Sequence, residues 1–375
     1  MNNLFSKFKK IFNNNIIIRF RTNKIIIFIE ISIIILLPLL LFYFISSTIK
    51  EKTEIRKEDN KVIIGFAMGT LKEERWFKDR DFLAAKAKEK GYEIEWVNAN
   101  ENDFEQVNQV KYLLTKNIDI LVIVPNSYDK CKAAVELAKK KGISVISYDR
   151  LIRDADIDAY ISFNNYSVGE QMAKALLSQK PNGNYVFLLG NAKDYNVYMI
   201  KQGYEKILKN YFNNNSIRKL YENYSPNWKK EYAYEYVNNL LDQGKHIDAI
   251  LAANDSLAEG AIMALSEKRL AGIVPVVGQD ADISACQRIV KGTQLMTVYK
   301  PIDKLAELTI DIIDKLLKNK PLKTSIYLNN GYKKVPTFFI EPISVYSYNI
   351  DDTVIKDNFH TFEEVYMIDK ENKSN

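Results

Sequence analysis

Short apolar runs alternate along the chain with segments in which apolar residues recur at helical spacing. The runs cover Val62–Met68, Ile94–Ala99, Ile120–Pro125, Ser144–Asp149, Tyr160–Asn164, Tyr185–Gly190, Ala249–Asn254, Val274–Asp280 and Leu295–Lys300. The helical segments between them include Trp76–Gly91, Phe104–Lys116, Val168–Gln179 and Tyr232–Gln243. This alternation is typical of βαβ units and parallel sheets. A single sheet rarely holds so many strands, so the pattern predicts an α/β protein with two doubly wound lobes.

A longer apolar run precedes these units, from Ile25 to Ile45, with Glu30 and Pro38 as its main interruptions. Its length is close to the roughly 20 residues that a helix needs to cross a bilayer core. We predict a transmembrane helix over residues 25–47, followed by a charged linker over residues 48–60. Glu30 is expected to reach the nearby headgroups, and the alternative is that it pairs with a partner helix.

The charged residues before this span are all basic. They are Lys7, Lys9, Lys10, Arg19, Arg21 and Lys24. An excess of positive charge marks the cytoplasmic side of a span. We therefore expect residues 1–24 to form a basic cytoplasmic N-terminus on a single-pass cell-membrane protein, with residues 61–375 outside the cell.

A cleavable signal peptide is the main alternative to this anchor. Such a leader has an apolar core of about 7–15 residues and then small residues at its cleavage site. Here the core is longer, and Phe42-Tyr43-Phe44 occupies the place of the small residues. A lipid anchor would need a cysteine near the span, but the cysteines are Cys131 and Cys286. The pattern favours a retained helix.

Charge and composition exclude several classes of function. The net charge of +6 is concentrated in the first 24 residues, so it reflects membrane topology and not a nucleic-acid partner. Two histidines and two cysteines are too few for a typical metal site.

No glycine-rich phosphate-binding motif is present, and we expect no cofactor. Asp149 and Asp280 are an alternative catalytic carboxylate pair, but no complete set of nucleophile, acid and base accompanies them, so we do not expect an enzyme.

Polar and aromatic residues follow the ends of the predicted strands, where open α/β sheets bind their ligands. They are Arg75, Trp76, Asp149, Arg150, Asp194, Asn196, Trp228, Asn254, Asp255, Gln279, Asp280 and Lys300. Carboxylates beside basic donors suit sugar hydroxyls, and flat aromatic rings suit the C–H faces of a sugar. Three simpler interpretations stay open: partly buried tryptophans, arginines at the surface that cap helices, and Asp280 as a helix N-cap.

Several motifs resemble the D-xylose-binding members of the type I periplasmic sugar-binding proteins. In chain order they are LKEERWFKDRDF, VIVPN, SYDRLIRDADIDAYISFNN, DAILAANDSLAEGAIMAL, VVGQDAD, GTQLMTVYKPI, LNNGYKKVP and DTVIKD. The resemblance runs from about residue 61 to about residue 360. It implies the type I periplasmic-binding-protein fold, with two Rossmann-like lobes joined by three crossings. Lobe 1 would comprise about residues 61–164 and 301–338, and lobe 2 about residues 165–300 and 339–375.

The same resemblance implies a sugar site. Its positions fall on Arg75, Trp76, Asp149, Arg150, Asn196, Trp228, Asn254, Asp280 and Lys300. Two departures affect the rim of the site. Gly69-Thr70 replaces a pair of acids after the first strand, and Asn164-Asn165 replaces an Asp-Asn pair.

The predicted anchor is a larger departure, because transport members resemble secreted or lipid-anchored proteins. The layout is similar to that of membrane-anchored sugar sensors that pair with a histidine kinase. We therefore expect a D-xylose receptor that signals by lobe closure to such a kinase. The alternative is a tethered xylose-binding subunit that delivers sugar to the permease of an ABC transporter.

Overall fold

The computed structural model describes residues 61–368, which form an α/β unit with two sheets. The strands in chain order are β1 (Ile63–Met68), β2 (Glu93–Asn98), β3 (Ile120–Val124), β4 (Ser144–Tyr148), β5 (Ala159–Phe163), β6 (Gly183–Leu189), β7 (Ile217–Tyr224), β8 (Ala249–Ala252), β9 (Val276–Gln279), β10 (Met296–Tyr299), β11 (Ile326–Asn329), β12 (Lys334–Ile340) and β13 (Ile343–Val345).

The helices cover and connect these strands. They are α1 (Glu74–Glu89), α2 (Asp103–Leu113), α3 (Lys132–Lys140), α4 (Asn165–Gln179), α5 (Tyr195–Asn213), α6 (Lys230–Asp242), α7 (Asp255–Glu267), α8 (Ile283–Val290), α9 (Ile302–Leu317) and α10 (Phe362–Tyr366). A short 3-10 turn, Pro226–Trp228, and a π-helical segment, Asp351–Ile355, complete the described elements.

Each sheet is the centre of one lobe. The sheet of lobe 1 has the strand order β11-β12-β5-β4-β3-β1-β2, and the sheet of lobe 2 has the order β13-β10-β9-β8-β6-β7. The strands are parallel apart from the pairs β11–β12 and β10–β13, which are antiparallel. Parallel strands covered on both faces are continuously apolar, as β3 is with its sequence ILVIV buried at every position. The two-lobe α/β fold predicted from the alternating runs is confirmed.

The chain passes between the two sheets three times. It does so between β5 and α4, between β10 and α9, and between β12 and β13. Helix α9 packs against α1 and β5 of lobe 1, whereas α10 packs against α8 of lobe 2. Several short connections of this kind are the usual structural basis of a hinge between lobes, because each can absorb a small part of a rotation.

The apolar pattern identified nine of the strands and missed β7, β11, β12 and β13. Strand β7, with the sequence IRKLYENY, lies at a sheet edge and is mostly half-buried or exposed, so its polar residues hide the strand pattern. Strand β13 has only three residues. These strands lie at the sheet edges or beside them, where one face or one side meets solvent.

Close packing of α4 against α5 helps to hold the start of α5 at the cleft. A Cβ atom added to Gly169 would lie 2.0 Å from the carbonyl oxygen of Ile200, and one added to Gly203 would lie 2.1 Å from that of Tyr166. Both glycines therefore allow the two helix backbones to touch.

No helix among residues 61–368 is long and apolar enough to cross a membrane. The predicted transmembrane helix over residues 25–47, the basic segment before it and the linker after it lie outside the described residues.

Candidate functional site

A cavity of about 310 Å³ lies between the lobes at the carboxyl ends of the strands. Its lining includes all nine residues predicted from the sequence: Arg75, Trp76, Asp149, Arg150, Asn196, Trp228, Asn254, Asp280 and Lys300. Glu73, Asp194 and Gln279 complete the lining.

Arg75 lies at the centre of the charged groups, in the first turn of α1 and only 4% exposed. Its Nε donates to Asp79 Oδ2 at 3.1 Å, and its Nη2 donates to Asp149 Oδ2 at 2.8 Å. Its Nη1 lies 3.6 Å from Asp280 Oδ1, across the cleft. Tyr148 donates from its hydroxyl to Asp79 Oδ1 at 2.6 Å, so Asp79 is itself held in place. The planar guanidinium group is thereby oriented toward the cavity.

Asp149 follows β4 and adopts a left-handed backbone, with φ of 60°. Its N–H donates to the Ile161 carbonyl at 2.8 Å, and its own carbonyl accepts from Ser162 Oγ at 2.6 Å and from the Tyr160 hydroxyl at 3.0 Å. A positive φ costs free energy for a residue with a side chain, and these hydrogen bonds from β5 stabilise the backbone of Asp149 in that conformation. The result points the carboxylate into the cleft, where Asn196 Nδ2 donates to it at 2.9 Å from the other lobe.

The charge state of Asp149 follows from opposing effects. Burial disfavours the carboxylate, but the positive charges of Arg75, Lys300 and Arg150 outweigh it and lower the pKa of Asp149 below its ordinary value. Asp149 is therefore an ionised hydrogen-bond acceptor at neutral pH.

Arg150 joins the two lobes beside Trp76. Its Nε lies 2.8 Å from Asp194 Oδ2, and Asp194 is the N-cap of α5. Burial raises the pKa of Asp194 despite this contact with Arg150. The guanidinium carbons of Arg75 and Arg150 lie 4.4 and 5.1 Å from the Trp76 ring centroid. Trp76, Arg75 and Arg150 are 2%, 4% and 7% exposed, so these residues line the cavity as buried side chains and are neither surface charges nor half-buried aromatics.

Trp228 forms the facing wall from lobe 2. Asn227 and Trp228 have φ of 52° and 55°, which turns the chain sharply at the 3-10 turn. A Cβ atom on Gly190 would lie 2.4 Å from the Trp228 ring, so the missing side chain of Gly190 makes room for the indole. The indole Nε1 is buried and makes no hydrogen bond with another described residue.

The remaining groups come from the ends of β8, β9 and β10. Asn254 caps α7, with its Oδ1 accepting from the Leu257 N–H at 2.9 Å, so its NH₂ group is left for a ligand. Lys300 Nζ lies 3.3 Å from Asp280 Oδ1 and 5.8 Å from the Phe163 ring centroid. The N-cap of α8 is Asp282 and not Asp280, which removes the alternative interpretation of Asp280 as a helix cap.

Asp255 lies behind Asp280 and is 1% exposed. It accepts hydrogen bonds from Thr297 Oγ1 and Gln294 Nε2, both at 2.7 Å, and from the Asp282 N–H at 3.1 Å. Burial raises the pKa of Asp255 to about 7, and the nearby Asp280 adds to the shift. The folded state therefore binds this proton more tightly than the unfolded state does.

Such a shift makes stability depend on pH. Asp255 contributes most to the free energy of unfolding below about pH 4, where its carboxyl group is protonated in both the folded and the unfolded state. This contribution is lost as pH rises to about 7. Asp255→Asn removes the titration. We expect the unfolding free energy of the native protein, relative to the variant, to fall between pH 4 and pH 8 by on the order of 1–4 kcal/mol. Urea denaturation across this range measures it, with the exposed Asp311→Asn as control. Parallel curves for native protein and Asp255→Asn would contradict the prediction.

The sequence alone left three lining residues out of the predicted set. Asp194 and Gln279 stood at strand ends, but nothing in the sequence showed that they face the cavity. Glu73 lies two residues before Arg75, and its Oε2 accepts from Trp76 Nε1 at 2.8 Å. Burial raises the pKa of Glu73, although Arg150 and Lys72 oppose the shift. Its position beside Arg75 was the available signal.

The lining is nearly balanced in charge, with three cationic and four acidic side chains. Across residues 61–368, no group of His, Cys, Asp and Glu side chains has an arrangement that would hold a metal ion. A nearly balanced set of donors and acceptors with two indole rings suits an uncharged polyhydroxyl ligand. Fold and site together define a two-lobe ligand-binding protein with its site in the hinged cleft.

The chain belongs to the family described as the periplasmic binding protein domain, whose profile matches residues 64–321. It is 42% identical over 304 residues to the "D-xylose-binding periplasmic protein" of Haemophilus influenzae, covering 81% of this chain and 92% of that protein. It is 41% identical over 314 residues to the protein of the same description from Escherichia coli, covering 84% and 95%.

A solved structure with the same fold is an ABC transporter solute binding protein from Clostridium phytofermentans with bound β-D-glucose. It is 26% identical, with a TM-score of 0.75, and the match covers 81% of this chain and 99% of that one. The family is one of non-enzymatic binding receptors, which confirms the prediction that the chain is not an enzyme.

Proposed function

We propose that this protein is a membrane-anchored D-xylose receptor whose lobe closure signals to a sensor histidine kinase. The observation that carries the ligand assignment is a set of three buried polar atoms in the cavity lining without a hydrogen bond to another described residue. They are the donor Trp228 Nε1 and the acceptors Gln279 Oε1 and Asp280 Oδ1, the last of which has only its ion-pair contacts with Lys300 at 3.3 Å and with Arg75 at 3.6 Å. Buried polar groups are normally paired, and ligand hydroxyls both donate and accept.

Relatives support xylose as the sugar, because the two proteins named above are described as D-xylose-binding and are 42% and 41% identical. Calorimetry on the full chain tests this directly. We expect D-xylose to bind more tightly than glucose, ribose or arabinose. Equal affinities, or no response to xylose, would overturn the assignment.

Trp228→Phe isolates the indole donor, since it removes Nε1 but keeps an aromatic ring in the wall. We expect xylose binding to weaken by about 1 kcal/mol, because a ligand hydroxyl loses its partner in a dry site. Calorimetry measures the change. The matched control is Trp96→Phe on β2, where the side chain is 45% exposed and is not part of the cavity lining. Unchanged affinity in Trp228→Phe would show that the indole N–H does not contact the sugar.

Closure as the signal is supported by contacts that cross the cleft. Lys72 Nζ donates to the Asn227 carbonyl at 2.7 Å, and Arg150, Asn196 and Arg75 contribute the cross-lobe contacts described above. A sugar that bridges the lobes favours the closed state over the open state. A partner that binds only to the surface formed by the closed lobes then binds only when the site holds a sugar.

The membrane anchor predicted from the sequence is consistent with a permanent membrane partner. A linker of about 10 residues reaches only some tens of Å, and such a tether keeps the lobes at high effective concentration beside a neighbouring ectodomain. We expect the helix to be retained, with its N-terminus in the cytoplasm. Mass spectrometry of the membrane-extracted protein should recover peptides from before Ile25. A mature N-terminus near residue 50 would instead identify the segment as a cleaved leader.

The second candidate function is a tethered substrate donor for an ABC transporter, supported by the solute-binding protein with the same fold. Deletion of the gene distinguishes the signalling function from the transport function. We expect deletion to abolish xylose-induced gene expression even when another uptake route for xylose is present. Reduced uptake with intact induction would favour the transport role.

A further inference from the structure

A second concave site lies beside the sugar cavity, which we call the tyrosine groove. Lobe 1 contributes Tyr128, Arg153 and Asn329, and lobe 2 contributes Tyr195, Tyr198 and Tyr224. The groove has a volume of about 460 Å³, which lies within the roughly 300–1,000 Å³ range of ligand pockets.

The groove is separate from the cavity, although the two share a wall. Asp194 lines both, but its carboxylate pairs with Arg150 on the cavity side at 2.8 Å. The Tyr128 N–H donates to the Lys193 carbonyl at 3.2 Å, which brings the two lobes together at this wall. A molecule in the groove therefore does not need to displace one in the cavity.

The chemistry of the groove combines flat aromatic rings with polar groups. The Tyr195 and Tyr198 ring centroids are 5.2 Å apart, and Tyr198 and Tyr224 are 49% and 39% exposed. Arg153 lies over the Tyr128 ring, with its guanidinium carbon 5.8 Å from the centroid, and makes no ion pair with another residue in the described part of the chain. Ring faces with phenol, guanidinium and amide groups around them match the C–H faces and hydroxyls of carbohydrates.

We propose that the tyrosine groove binds a short oligosaccharide of neutral sugars. The choice of neutral sugars rests on the proposed function, since the groove adjoins the cavity that is assigned there to a single sugar, and the volume of the groove leaves room for more than one sugar unit. Because both lobes line the groove, its ligand contacts them together only in the closed state. Oligosaccharide and monosaccharide binding are therefore positively coupled.

The test uses xylotriose as the probe and calorimetry on the full chain saturated with D-xylose. We expect a second, weaker binding event that Tyr198→Ala weakens about tenfold, as expected for loss of one stacking ring. Tyr112→Ala on α2 is the matched control, because Tyr112 is 50% exposed and lies outside the groove. Xylose affinity in Tyr198→Ala should stay unchanged, which shows that the variant is folded.

Three outcomes would overturn the proposal. The first is that xylotriose does not bind to the xylose-saturated chain. The second is that xylotriose binds equally well to Tyr198→Ala. The third is that Tyr198→Ala loses xylose-dependent signalling although no oligosaccharide binds to the groove, which would make the groove a protein-docking surface. If xylose itself does not bind, the proposed function fails. Binding to the groove is then tested separately by titrating xylotriose into the sugar-free native protein and into Tyr198→Ala.

Discussion

Arg75→Met is expected to abolish sugar binding and to destabilise the fold by about 3–5 kcal/mol, as when one partner of a buried ion pair is removed. The reason is that Arg75 contacts Asp79, Asp149 and Asp280, all of them buried. Without its guanidinium group, these carboxylates repel one another in a site with little water. Urea denaturation measures the stability, and calorimetry with D-xylose measures the binding.

Two further variants make this result specific. Arg80→Met changes the same residue type on the same helix, where the side chain pairs with the exposed Asp81 at 2.7 Å, and should cost less than about 1 kcal/mol. Arg75→Lys keeps the charge but loses the planar fork, so it should retain stability better than it retains binding. Native-like stability in Arg75→Met would show that Arg75 does not hold the acidic groups together.

Asp280→Asn is expected to weaken D-xylose binding by about 2–3 kcal/mol, or roughly 30- to 150-fold. The substitution keeps the size of the side chain but removes its charge. Lys300, which is 2% exposed and lies 3.3 Å from Asp280 Oδ1, then loses this ion-pair partner, and the ligand loses a carboxyl acceptor. Calorimetry over a series of D-xylose concentrations measures the difference.

The exposed Asp352→Asn is the matched control for Asp280→Asn, since it makes the same change away from the cavity. If Asp280→Asn binds xylose with native affinity, the sugar does not contact the end of β9. In that case Asp280 serves the ion pairs with Lys300 and Arg75 and not the ligand, and the ligand lies nearer to Trp76.

The sequence by itself determined the fold class and the candidate residues of the site. Buried parallel strands such as β3 require unbroken apolar runs, and these are visible without coordinates. Parallel strands also place their carboxyl ends at one edge of the sheet, so residues such as Asp149 and Lys300 could be grouped from their positions alone. Edge strands such as β7 were missed because they are only partly buried and carry no such pattern.

Only the tertiary structure decided which side chains meet and in what state. Arg75 and Asp149 are 74 positions apart in the chain, yet their side chains are 2.8 Å apart because α1 and β4 belong to one lobe. Gln279 lines the cavity because of the direction of its side chain at the end of β9. Asp255 supports the site from behind, where it is almost completely buried. Contacts between distant residues, and the pKa values that depend on them, arise from packing in three dimensions, which local sequence patterns do not specify.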